Sequence, residues 1–186
     1  MGEIKSAWEL AMEKAERLGK LSPEELKRQK EEKYGSIGHV LADKYLGGLA
    51  LWQLEVELGR YNVEEEGIVK GALALELIHA IELGNRERLQ KVIEGILTLK
   101  QNHAAIGDIK DEIEQLFEEY EQVEERESGD IEKAAREILH QLRISGSAIR
   151  AVSPKVVPEG QQVFNRLAQP YKERLEGLKG RLIDLS

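Results

Sequence analysis

Apolar residues recur along most of this chain at the three- and four-residue spacing of helices, and no strand is predicted. Ile4, Trp8, Ala11, Ala15 and Leu18 follow one another by four and three, predicting a helix from about residue 3 that Gly19 stops. Ser22, Pro23 and Glu25 supply an N-cap, a proline for the first helical position and a reciprocal glutamate. The next run, EELKRQKEEKY, has mainly Leu26 and Tyr34 to bury, so it reads as a solvated helix held by charge pairs one turn apart. A long apolar region then runs from Ser36 to Tyr61. Within it Gly47 and Gly48 mark either a break between two helices or a close approach of one helix to another.

The stretch Gly67 to Leu83, GIVKGALALELIHAIEL, is apolar in every direction when projected at about 100° per residue, which predicts a buried central helix. Asn62 and Glu65 open it in the capping-box pattern; Gly84 closes it and Asn85 caps the next helix. Leu89, Val92, Ile93, Ile96 and Leu97 form one broad face of that helix. Ile106, Ile109, Ile113, Leu116, Tyr120 and Val123 then make a heptad seam with acidic flanks. Ser128-Gly129-Asp130 predicts a break, after which Ile131, Ala134, Ala135, Ile138 and Leu142 define another stripe. A second seam runs through Phe164, Ala168, Tyr171, Leu175, Leu178, Leu182 and Leu185, with Pro170 predicting a kink or a helix start. The acidic and the mildly basic seam can pair within one chain or between two. Trp8, Trp52, Tyr120, Phe164 and Tyr171 all lie in apolar patterns, which makes them packing residues.

These patterns predict an all-α fold, a helical bundle of seven or eight helices with short coiled-coil-like seams near both ends. The chain reads as one domain, 1–186, with an N-terminal helical arm (1–35), a helical core (36–144), a connector bearing Pro154 and Pro158 (145–160) and a C-terminal helix (161–186).

Composition narrows the function. The charged fraction is 33% and the net charge −8, which disfavours attraction to nucleic acid or to an anionic membrane. The absence of cysteine excludes disulfides, thiolate metal sites and thiol nucleophiles, and fits an intracellular protein. No stretch has the length and polarity of a membrane span, and charged residues interrupt the N-terminus where a secretory signal would be apolar, so the expected location is cytoplasmic.

The sharpest candidate chemistry is a repeated Glu-x-x-His, at Glu76 with His79 and at Glu137 with His140. Two such pairs, with carboxylates from two further helices, build the di-iron or di-manganese site of ferritin-like bundles. His140, however, projects about 180° from the stripe centred near Ile131 and Leu142 and should face water. That leaves Glu76 and His79, expected to be buried, either as metal ligands or as a polar pair that fixes helix register. His39 and His103 sit near predicted turns with no defined carboxylate or serine partner.

The opening MGEIKSAWELAMEKAERL resembles the start of small helical bacterial proteins grouped into families of unknown function, a resemblance that implies a bacterial cytoplasmic source and transfers no site residues. The expected role is non-enzymatic: an interaction or scaffolding module that self-associates through a heptad seam, without cofactor, and that binds itself or another protein. A metal-binding or oxidoreductase bundle using Glu76 and His79, with iron or manganese, is the alternative.

Overall fold

The computed structural model describes residues 22–99, 102–141 and 158–185 together with Trp8 and Met12, leaving aside the side chains at 135, 138–141 and 158–160. All regular structure among these residues is helical. Six helices follow in order: α1 (Pro23–Leu46), α2 (Leu51–Leu58), α3 (Val63–His79), α4 (Arg86–Leu99), α5 (His103–Gln141) and α6 (Pro158–Asp184). The chain divides into two compact units, Met1–Glu76 and Leu77–Ser186, with the boundary inside α3.

In the first unit, α1 begins as its sequence dictates. Ser22 Oγ accepts from Glu25 N at 3.2 Å, Glu25 Oε2 accepts from Ser22 N at 2.8 Å, and Pro23 fills the first helical position. The helix then runs through Gly35 and Ser36, where the apolar region was expected to begin afresh, and Ser36 Oγ donates back to Lys33 O instead of capping a new helix. The break falls at Gly47-Gly48, where Gly48 takes φ +123°, a conformation that excludes ordinary side chains. The close approach lies elsewhere, at Gly38. A Cβ there would stand 2.6 Å from Val69 O and 2.9 Å from Leu73 N, so the missing side chain lets α1 lie against the backbone of α3. Leu41, Ala42 and Tyr45 of α1, Leu54 and Leu58 of α2, and Val69 and Leu73 of α3 are buried in this unit.

Trp52 corrects the expectation of a packed tryptophan. Leu54 and Leu58 set the buried face of α2, and Trp52 and Val56 lie two residues off it, about 200° around the helix. They face outward, with 64% and 54% of their surface exposed. Trp8 is likewise exposed.

The central helix is not buried all round. Glu64, Gly67, Gly71, Leu75 and His79 form an exposed strip along it. Glycine counts as apolar in a projection yet adds no side chain to bury, which is why the sequence overstated this face. Asn62 and Glu65 do cap the start reciprocally, Glu65 N donating to Asn62 Oδ1 at 3.0 Å. The helix ends at His79, short of the expected Leu83, through tighter bonds from Ala80 N to Leu77 O and Ile81 N to Ile78 O.

In the second unit, Asn85 caps α4 through Arg88 N, and α4 buries Leu89, Val92, Ile93 and Ile96. Arg86 grips Glu121 of α5 with two hydrogen bonds, at 3.2 and 3.0 Å. The helix α5 continues for 39 residues across Ser128-Gly129-Asp130, and Asp130 pairs with Lys133 one turn on rather than capping a new helix. Each of these three residues costs about 1 kcal/mol at most in a helix interior, too little to break a long amphipathic helix. Of the stripe expected beyond this point, Ile131 is half-buried and Ala134 exposed, while Ala135, Ile138 and Leu142 lie outside the described side chains.

The helices α5 and α6 pack antiparallel. Glu112 pairs with Arg181 and Glu119 with Arg174, seven residues apart on each helix and in opposite chain directions. Between them Ile109, Ile113, Leu116 and Phe117 are buried on α5, and Phe164, Ala168, Leu175 and Leu182 on α6. Tyr120 meets Tyr171 with ring centroids 5.4 Å apart. The two seams therefore face each other within one chain. Pro170 sits inside α6 on its exposed side, and the helix passes through it from Pro158, inside the segment expected as connector; Pro154 lies outside the described residues.

Candidate functional site

The residues singled out for chemistry are not a buried pair. Glu76 is half-exposed, and its carboxylate lies 2.8 Å from Nδ1 of His39, across from α3 to α1. His79 is exposed at the C-terminus of α3 and belongs to the other compact unit. The reason is the exposed strip of α3, on which His79 falls and which Glu76 borders. Glu137 is exposed, and the side chain of His140 lies outside those described. Among the described residues, no group of three or more His, Asp or Glu side chains is placed to hold a metal ion. His39 pairs with a carboxylate, that of Glu76. Nothing near it in sequence signals this, because its partner is 37 residues away and the pairing depends on the close approach at Gly38.

Two concave features lie in the second unit, against α6. A cleft of about 690 Å³ opens between the turn Ile81-Glu82-Leu83 and α6. Leu175 and Ile81, both buried, form its apolar floor, while Gln169, Lys172 and Glu173 stand at its edge. At its inner end is Lys179, whose side chain is only 9% exposed. Its ammonium donates to Glu176 Oε1 at 2.8 Å and to the carbonyl of His79 at 3.3 Å. The final carbonyls of a helix have no partner within it, and a cation there also meets the negative end of the helix dipole. Lys179 thus ties α6 to the end of α3 and neutralises its own charge in doing so. Its position four after Leu175 and three before Leu182 marks it as a cation bordering an apolar seam, a signal that reading the seam for its leucines alone passes over.

A second cleft, of about 410 Å³, adjoins the first along α6 and shares Lys172 with it. Phe164 and Ala168 floor it, Gln161 and Asn165 edge it, and Tyr120 and Glu124 of α5 close its far side. Burial, reinforced by the hydrogen bond to Glu124, pushes the Tyr120 hydroxyl up to about 12. Tyr120 therefore stays a neutral donor, holding Glu124 in place at 3.1 Å. On the other flank of the same helix pair, Arg181 and Arg174 hold the carboxyls of Glu112 and Glu119 below the usual carboxylate range.

No curated protein and no solved structure matches this chain. The model of a family of unknown function, DUF6657, does match, over residues 55–184, from within α2 to the end of α6 and so including every residue of both clefts. With that span matched, the chain belongs to the family DUF6657.

Proposed function

We propose that this protein is a non-enzymatic cytoplasmic interaction module that self-associates through the outer face of α2. The observation that carries this reading is the exposure of Trp52 and Val56, one turn apart on a short helix whose opposite face is buried. A tryptophan presents one of the largest apolar surfaces of any side chain, and aromatic residues are enriched at the centres of protein interfaces. A stable interface covers about 800 Å² on each side, so Trp52 and Val56 form its centre and neighbouring residues its rim. The sequence suggested the heptad seams for this role. Leu175 and Leu182 are buried between α5 and α6, and in this reading the self-associating surface is the exposed face of α2 instead.

The absence, among the described residues, of a helix long and apolar enough to cross a membrane agrees with the cytoplasmic assignment. The test is sedimentation equilibrium of the full chain over a concentration series, beside Trp52→Glu and Val56→Glu. A wild-type mass that rises with concentration to a multiple of the chain, and variants that stay at chain mass, are the expected results. A wild type that remains at chain mass throughout rejects the proposal.

The metal-binding alternative rests on Glu76 and His79, which lie one turn apart on the same helix. It requires stoichiometric iron or manganese in chelator-free protein, lost on His79→Ala.

A further inference from the structure

We infer that the face of α6 turned away from its ion-paired flank is a docking groove for a basic amphipathic helix of a partner protein. Gln161, Asn165, Ala168, Lys172, Glu176 and Lys179 follow one another by four, three, four, four and three, so they form one stripe on α6. The two clefts lie one after the other along this stripe, with Lys172 lining both. From Gln161 to Lys179 the groove runs for about 27 Å at ~1.5 Å per residue, the length of a helix of roughly 18 residues. Its shape is that of the groove in helix-in-groove recognition, where apolar side chains one turn apart enter a trough and flanking charges set the orientation.

Charge decides which helix fits. The arginines of the α5–α6 pair that reach across the seam are spent on the opposite flank, against Glu112 and Glu119. On the groove side four carboxylates, Glu82, Glu124, Glu173 and Glu176, stand against the two ammonium groups of Lys172 and Lys179. Lys179 is buried and already bonded to Glu176 and to the His79 carbonyl, so it offers no open positive charge. Glu82 and Glu173 are exposed at the edge, and among the described residues their side chains accept from amides, those of Asn85 and Gln169. An incoming helix with leucines on one face and lysines beside them buries the first on Ile81, Leu83 and Leu175 and brings the second to Glu82 and Glu173. An acidic helix meets repulsion along the same line.

The inference rests on the reading of this chain as an interaction module, but not on its self-association. Its test uses a fluorescently labelled 18-residue leucine/lysine helical peptide, and a leucine/glutamate peptide of the same pattern, with binding to the full chain followed by anisotropy. Glu82→Lys with Glu173→Lys reverses the edge, Gln169→Trp fills the cleft from an exposed position, and Glu31→Lys with Glu32→Lys makes the same change in net charge on α1. The expected result is that the basic peptide binds the wild type and the α1 variant alike, and binds the edge and cleft variants roughly tenfold more weakly or worse. Equal affinity for all variants, binding of the acidic peptide as tight as that of the basic one, or no binding of the basic peptide would each overturn it. Sedimentation of the same samples separates the outcomes: a chain that binds the peptide but stays at chain mass keeps the groove and loses the self-association, and the converse result does the reverse.

Discussion

The two compact units handle their apolar residues differently. In Leu77–Ser186 the long helices α5 and α6 cover each other's seams, and Val163 is the one large apolar side chain left exposed among the described residues. In Met1–Glu76 the exposed set is Trp8, Met12, Leu26, Val40, Trp52, Val56, Val63 and Leu75. Single exposed apolar residues need no explanation, but a concentration of them in one unit does. Apolar residues of the stretches expected to form an oligomer seam, Ile109, Ile113, Leu116, Leu175 and Leu182 among them, are buried within the chain, whereas most of the large apolar side chains left exposed lie in the less regular region. Regularity of an apolar pattern reports how well two helices can pack, not whether the partner lies in the same chain.

If that contrast is right, identical chemistry has opposite consequences in the two units. Leu182, 1% exposed in the α5–α6 interior, is predicted to be the most sensitive position. Leu182→Ala should lower unfolding stability by about 2–5 kcal/mol, and Leu182→Glu should prevent the second unit from folding. Denaturant titration followed by circular dichroism checks both; a folded Leu182→Glu protein with altered mass would return the self-associating surface to the seam.

The next largest effect separates two kinds of helical glycine. Gly38→Ala puts a methyl group 2.6 Å from Val69 O and should cost about 1–3 kcal/mol, because backbone rather than a flexible side chain must yield. Gly67→Ala and Gly71→Ala meet nothing within 4 Å and should stabilise α3 by about 0.5–1 kcal/mol each. Thermal melts of the three variants decide the matter, and a stabilised Gly38→Ala would remove the close approach of α1 and α3 from the account.

The acid side of the stability curve offers a finer probe. Glu112, Glu119 and Glu121 have their carboxyls held below the ordinary range by hydrogen bonds from Arg181, Arg174 and Arg86. A depressed carboxylate contributes stability that is present above its unfolded value and is lost as pH falls through its folded one. The second unit should therefore weaken below about pH 4, the ordinary carboxylate range. Arg174→Gln with Arg181→Gln should flatten that dependence, lowering stability from pH 5 upward and converging on the wild type near pH 2. An unchanged slope between pH 5 and 2 in the double variant would show that these pairs do not contribute.

Much of the architecture was legible in the sequence because it rests on local chemistry. The capping boxes at Ser22 and Asn62 and the cap at Asn85 follow from residues within one turn of each other, and the structure places each where the spacing put it. The features that were not legible depended on residues far apart. Gly38 is one of many glycines until Val69 is brought against it, and the His39–Glu76 contact follows from that approach. The predicted break at Ser128-Gly129-Asp130 failed for the opposite reason: weak local signals yielded to a helix whose flanking turns carry it through. The buried placement of Glu76 and His79 failed because Gly67 and Gly71 filled a face in projection that they leave bare in space.

The smallest predicted change in stability accompanies the claim of most consequence. Replacing Trp52 should alter monomer stability by no more than about 0.5 kcal/mol, since its side chain packs on little within the chain. Its surroundings should nonetheless depend on concentration. In Trp8→Phe protein, Trp52 is the one remaining tryptophan, and its emission can be followed across a dilution series alongside mass. Emission at short wavelength in the concentrated sample, shifting to the red as the mass falls to that of one chain, is the result predicted if a second copy covers α2. Emission that stays red while the mass rises would contradict it, placing the contact between copies on another face.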